Sequence, residues 1–159
     1  MKFNSALKNF VLVLFSTLLI SACSTAKKAS VDTVADVYTG TATVEYLANG
    51  VPDRVFFATN KSSLTTRSRD TLRKQATYLR KNKDLTVTIE GHADERGTRE
   101  YNLALGERRA NAAKDYLMTY GVSGKRISVI SYGKEKPVNP ASSPLAWSQN
   151  RRSVTNKAN

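Results

Sequence analysis

The sequence offers a single cysteine, Cys23, and a single histidine, His92, in 159 residues. One cysteine excludes an intramolecular disulfide. One histidine, with no second His or Cys within ligand spacing, removes most metal-site and catalytic-triad schemes. Acidic residues are scarce as well, 13 against 25 Lys and Arg, which leaves a formal net charge of +12. Loss of an N-terminal leader carrying Lys2 and Lys8 would bring this to +10 (12 − 2). So basic a chain predicts an anionic partner: nucleic acid, anionic lipid headgroups or a carboxylate-bearing polymer. A long apolar run is missing too. The stretch Phe10–Ile20 spans roughly half of a ~30 Å hydrocarbon core at ~1.5 Å per residue, so a permanent membrane helix is not expected. The length suits one domain with targeting and linker segments, and is too short for two comfortable cores.

What is present begins at the N-terminus. Lys2 and Lys8 precede the apolar stretch, and the small residues Ser21 and Ala22 come after it. A basic start, a short apolar stretch and a small-residue end read as a secretory signal over residues 1–22. Ile20-Ser21-Ala22-Cys23 resembles a bacterial lipobox. That resemblance implies that Cys23 is lipidated and becomes the mature N-terminus. Ser24, where an aspartate would imply retention at the inner membrane, implies sorting to the outer one. Multiple acyl chains anchor far more firmly than one. From Ser24 to about Asn49 the sequence is polar and small, without a persistent period, and reads as a flexible linker. Such a segment spans roughly 25–30 Å as a coil and roughly 85–95 Å at full extension.

A folded domain over residues 51–159 is expected. Arg54–Ala58 is a short apolar strand candidate. Leu72, Gln75, Ala76 and Leu79 recur at helical spacing, with Thr65 or Thr66 as N-cap. Leu85, Val87 and Ile89 alternate with Thr86, Thr88 and Glu90 as a strand with one buried face. A polar loop over Gly91–Gly97 leads into a second helix from about Arg99 to Tyr120, with Gly121 as its stop. Ile127–Tyr132 is a third strand, Gly133–Pro144 a Pro-containing loop, and Asn150–Thr155 a last strand. The order β-α-β-α-β-β describes an α+β sandwich, helices packed on one sheet.

The chemically informative stretch joins strand, loop and helix between Glu90 and Asn111. Arg109 lies four residues after Leu105 and three before Ala112, so it projects from the face that packs inward. A charge there is expensive unless something pairs with it. Its guanidinium can fork onto a carboxylate, and Asp94 in the loop offers the opposite sign, suited to an ammonium group. A ligand with an amine and a carboxylate on one carbon would satisfy both. Equally, Asp94, Arg96 and Arg109 can pair with one another and lock the loop to the helix.

The runs Gly91-His-Ala-Asp-Glu-Arg-Gly-Thr98, Glu100-Tyr-Asn102 and Leu105-Gly-Glu-Arg-Arg-Ala-Asn-Ala112 carry a strong resemblance, extended by Ile130–Pro137 and Asn150-Arg-Arg152. Over Val55–Arg152 the chain resembles the OmpA-like peptidoglycan-binding domain family, and within it the peptidoglycan-associated lipoproteins of Tol-Pal systems. The resemblance implies helices on one face of a mixed sheet. It also implies that Asp94 and Arg109 hold the amino and carboxylate ends of diaminopimelate in the peptidoglycan stem peptide. Arg96 and Leu105 are implied to line the same pocket, with Thr59 and Asn60 beside them. Asn60 departs from the pattern Phe-x-x-Asp-Lys, since the chain reads Phe57-Ala-Thr-Asn-Lys61. The short polar ending Ser153–Asn159 departs from a typically apolar last strand.

The family resemblance further implies a non-catalytic tether between outer membrane and wall, acting in envelope integrity and cell division. It would carry no cofactor beyond the lipid on Cys23 and would meet a periplasmic Tol-system β-propeller protein. A wall hydrolase is the first rival, but adjacent Asp94 and Glu95 do not flank a bond as opposed carboxylates must, and lone His92 reads as a hydrogen-bonded loop residue. A polyanion binder is the second, suggested by charge alone; no nucleic-acid motif supports it, and export argues against nucleic acid. A module serving mainly to dock a protein partner is the third.

Overall fold

The computed structural model describes residues 36–158. The leader, Cys23 and the linker as far as residue 35 lie outside them. A hairpin of β1 (Tyr46–Ala48) and β2 (Val51–Pro52) precedes a four-stranded sheet. That sheet contains β3 (Arg54–Phe56), β4 (Val87–His92), β5 (Ile127–Gly133) and β6 (Arg152–Lys157), in the order β3-β6-β4-β5. β6 is antiparallel to β3 and β4, while β4 and β5 are parallel. Helix α1 (Thr66–Lys81) and helix α2 (Arg99–Thr119) supply the connections and pack on the sheet. The expected α+β sandwich on a mixed sheet is therefore the observed one.

Local chemistry sets the helix ends. The Thr65 hydroxyl accepts from the Ser68 amide at 3.1 Å and caps α1; Thr98 caps α2 through the Tyr101 amide at 3.2 Å. At the far end of α2, Gly121 takes φ +83° and donates to the Met118 carbonyl, while the Val122 amide reaches the Leu117 carbonyl. This paired closure needs a left-handed residue, which is why glycine stands there. Leu72, Ala76 and Leu79 from α1, with Ala110, Ala113 and Leu117 from α2, meet Val55, Phe57, Val87, Ile89 and Ile127 in one core. Ala110 is fully buried, and Tyr120, at the end of the helix, is exposed.

Three features differ from the sequence reading. Residues 36–50 belong to the fold rather than to a linker: Val37, Tyr38 and Leu47 are buried, and the Tyr38 ring meets Phe56 edge-on at 4.9 Å. The apolar residues there are too few to show a period, yet they cover the sheet side opposite the helices, where Phe56 points while Phe57 joins the main core. Second, Pro144–Asn150 forms a short helix, α3, begun by Ser143, whose hydroxyl accepts from the Ala146 amide at 3.2 Å. Third, the last strand, expected over Asn150–Thr155, forms over Arg152–Lys157 and lies between β3 and β4, with Arg152, Ser153, Val154 and Thr155 all buried. Much of its polarity is satisfied: the Thr155 hydroxyl bonds Gln75 of α1 at 2.9 Å, and Gln75 donates onward to the Pro52 carbonyl at 2.7 Å, while Arg152 Nε has no hydrogen-bond partner among the described residues.

α2 lies unusually close to β4. A Cβ on Gly91 would stand 1.8 Å from the Gly106 carbonyl oxygen, and one on Gly106 would stand 2.9 Å from that of Gly91. Only two glycines facing each other allow this approach. It brings the helix turn that carries Arg109 down onto the C-terminal end of β4. Among the described residues, no helix is long and apolar enough to cross a membrane.

Candidate ligand-binding site

Arg109 is fully buried and emerges from α2 into the junction between the end of β4 and the turn after β3. Its Nη1 donates to the His92 carbonyl at 2.8 Å, Nε to the Lys61 carbonyl at 2.9 Å and Nη2 to the Ala58 carbonyl at 3.1 Å. The Phe57 ring lies 5.3 Å from its guanidinium carbon. The turn is shaped for this: the Lys61 amide closes on the Ala58 carbonyl, and Asn60 at its exposed tip takes φ +54°. Asparagine tolerates that left-handed conformation better than most side chains. Among the described residues, no carboxylate lies within ion-pair distance of Arg109. Burial, and then the repulsion of Arg151, push its pKa down to about 10, so it remains cationic at neutral pH. Three of the five N–H bonds are spent on carbonyls, and the other two have no acceptor among the described residues.

Asp94, also buried, is held by Arg96, one of the two arginines expected as its partners, and by Arg151. Arg96 forks onto it, Nε to Oδ1 at 3.0 Å and Nη2 to Oδ2 at 2.7 Å, and the Arg96 amide adds a bond at 3.1 Å. Arg151 reaches Oδ2 through Nη1 at 3.2 Å. Burial alone would raise the Asp94 carboxyl, but the Arg96 and Arg151 hydrogen bonds outweigh it and hold the group below its usual range. The pairing of Asp94 with Arg96 is thus realised, while Arg109 pairs with neither. Leu105 is buried one turn before Arg109 on α2, and Thr59 sits between Ala58 and Asn60, its hydroxyl 3.3 Å from Arg96 Nη2.

The Arg96 side chain is 42% exposed and lies over the Trp147 ring at 4.3 Å. Glu95 holds that ring in place, accepting from Trp147 Nε1 at 2.7 Å and from the Ser142 hydroxyl at 2.5 Å. These two bonds keep its carboxyl below the usual range. Lys134 ties the loop from the other side through the Gly97 carbonyl at 2.7 Å. His92 is not a loop residue: it ends β4, buried, with Glu90 at 3.5 Å from Nε2 but no hydrogen-bond partner on either ring nitrogen among the described residues. Burial and the nearby Arg152 charge lower its pKa to about 3. Among the described residues, no cluster of His, Cys, Asp and Glu could hold a metal ion.

Arg151, Asp36 and Trp147 are the site residues that sequence reasoning missed. Arg151 carries a faint signal, a paired arginine at the start of a strand candidate. Asp36 carries none, lying in a polar stretch 115 residues away from its partner.

Comparison with known proteins places the chain in a family. The OmpA family pattern matches residues 56–151. A peptidoglycan-associated lipoprotein of Rhizobium meliloti is 46% identical over 150 residues, covering 91% of this chain and 85% of the relative. That of Brucella melitensis is 43% identical over 150 residues, covering 91% and 88%. The crystal structure of the peptidoglycan-associated lipoprotein from Burkholderia pseudomallei superposes with a TM-score of 0.65 at 37% identity, over 67% of this chain and 90% of that one. The MotB C-terminal domain of Helicobacter pylori, 21% identical with a TM-score of 0.63, shares the fold. The chain belongs to the OmpA family, among its peptidoglycan-associated lipoproteins.

Proposed function

We propose that this chain is a non-catalytic outer-membrane lipoprotein, anchored through lipid on Cys23, that holds the cell wall by gripping diaminopimelate in the peptidoglycan stem peptide. The observation that carries the proposal is Arg109: a fully buried guanidinium whose close partners among the described residues are carbonyls only. Three carbonyls position a cation but do not neutralise it, and an uncompensated buried charge is costly unless a ligand completes it. Its two free N–H bonds suit a carboxylate. Asp94 lies in the same cluster as the acceptor for an ammonium, and Arg96, half in solvent, is the group that must yield to admit one.

Each charge-assisted hydrogen bond contributes roughly 1.5–3 kcal/mol. Two or three of them, less the cost of association, give weak attachment to a single stem peptide. Durable attachment then comes from number, because a wall presents many identical arms to many anchored copies. The resting state of both acids supports a non-catalytic role: Asp94 is held by two arginines and Glu95 by Trp147 and Ser142, and the two are chain neighbours rather than an opposed pair. On the same reading the protein works within a Tol-Pal system, with a periplasmic β-propeller partner, in envelope integrity and cell division.

The test is sedimentation of the full-length chain, in mild detergent, with purified peptidoglycan. Wild type is expected to pellet with the wall and to be released by free diaminopimelate. Asp94→Asn, folded by circular dichroism, is expected to stay in the supernatant. A folded variant that pellets like wild type would make Asp94 structural and end this reading of the site.

A further inference from the structure

Arg151 is as deeply set as Arg109, with a side chain only 3% exposed, and it holds two carboxylates. Its Nε donates to the Phe57 carbonyl at 3.1 Å and its Nη1 to Asp94. Nη2 reaches Asp36, to carboxylate Oδ1 at 2.7 Å and also to the backbone carbonyl. Thr59 completes a cradle around the same carboxylate, its hydroxyl donating to Oδ1 at 2.9 Å and its amide to Oδ2. A guanidinium N–H, a hydroxyl and a backbone N–H converging on two oxygens form a carboxylate-binding site.

We propose that Thr59 and Arg151 form a carboxylate subsite beside the Asp94–Arg109 pocket, and that Asp36 fills it as an internal ligand that a carboxylate of the stem peptide must displace. The inference rests on the reading of the pocket as a stem-peptide site. Charge supports it. Counting Arg96, Arg109 and Arg151 against Asp36, Asp94 and Glu95, the cluster is neutral (3 − 3); with Asp36 withdrawn it becomes +1 (3 − 2) and calls for an anion. Burial supports it as well. Asp94 is only 9% exposed, as a fixed part of the site would be, whereas Asp36 is 37% exposed. A half-solvated ion pair is weak enough to exchange.

An internal competitor raises the apparent dissociation constant by the inverse of the fraction of time it leaves the site free, so a carboxylate in place about nine-tenths of the time weakens binding about tenfold. The experiment is calorimetric titration of the full-length chain in mild detergent with the tripeptide L-Ala-γ-D-Glu-meso-diaminopimelate. Wild type is compared with Asp36→Asn, which keeps the side-chain shape, and with Asp36→Ala. Both variants are expected to bind about tenfold more tightly than wild type, and Asp94→Asn is expected to abolish binding in every background. Carbon-13 resonances of the wild-type Asp36 carboxyl are expected to shift towards solvent values on saturation. Equal or weaker binding by the Asp36 variants, with wild-type binding intact, would overturn the inference and make Asp36 a brace for Arg151. An Asp36 resonance that does not move on saturation would overturn it too. Absence of binding by wild type and variants alike would instead overturn the stem-peptide reading on which it rests.

Discussion

Arg109 and Asp94, paired in the proposed function, are not in contact, and the difference comes from where each finds its hydrogen bonds. Arg109 meets three backbone carbonyls from two separate elements, so its orientation is set before any ligand arrives. Asp94 is instead held by Arg96, whose exposed side chain can swing away while the carboxylate stays in place. His92, behind them, supplies its carbonyl to Arg109 and keeps a neutral ring in the interior. Its pKa is lowered to about 3, well under the ordinary value of 6.5. The unfolded chain therefore takes up a proton as pH falls below 6.5, while the folded one does not. The stability that neutral His92 contributes is full above that point and is lost on acidification, about 2 kcal/mol of it by pH 5. Denaturant melts at pH 8 and pH 5 should differ by that amount in wild type, and the difference should disappear in His92→Gln. Asp94 acts in a separate window, because its lowered carboxyl stabilises the fold down to about pH 4 and loses that contribution only below.

At the scale of elements, the contact between α2 and β4 decides whether the site exists. Gly91 and Gly106 face each other with no room for a methyl group. Gly106→Ala should force the helix off the strand, cost about 3 kcal/mol, and weaken wall binding in whatever fraction remains folded. A thermal melt within a degree or two of wild type would show that the close approach is not needed. The same elements show what the sequence can reveal. Both long helices are legible from their caps and spacing, because Thr65, Thr98 and Gly121 act locally. β4 is legible because one of its faces is buried and the other is not. β6 is harder to read: as a central strand its backbone is paired on both sides, so it needs no apolar signature, and Thr155 meets its partner 80 residues away. α3 is signalled only by Ser143-Pro144, a cap and first-turn pair short enough to pass for a loop. The site shows the same division. Asp94, Arg96, Arg109 and Leu105 sit in one continuous run and could be named together. Arg151 and Asp36 enter through contacts across 57 and 115 residues; the paired arginines leave a faint local trace of Arg151, and none marks Asp36.

Across the whole molecule, a basic chain of net charge +12 meets a wall rich in carboxylates, yet the charges that matter are few and buried. Most of the surface Lys and Arg serve solubility and long-range attraction. In the proposed function, recognition falls to Arg96, Arg109, Arg151 and Asp94 at one end of the sheet. Specificity should come from the ligand's own pair of charges. A stem tripeptide ending in lysine keeps the amine of diaminopimelate and lacks the carboxylate on the same carbon. The most direct test is the affinity of wild type and of Arg109→Gln, both melting cooperatively, for the diaminopimelate and lysine tripeptides. Wild type should prefer diaminopimelate by at least about tenfold, the worth of one charge-assisted hydrogen bond. Arg109→Gln should bind weakly and lose that preference. Equal affinity of wild type for the two peptides, or a preference that survives in Arg109→Gln, would contradict the assignment of Arg109 as the residue that holds the carboxylate.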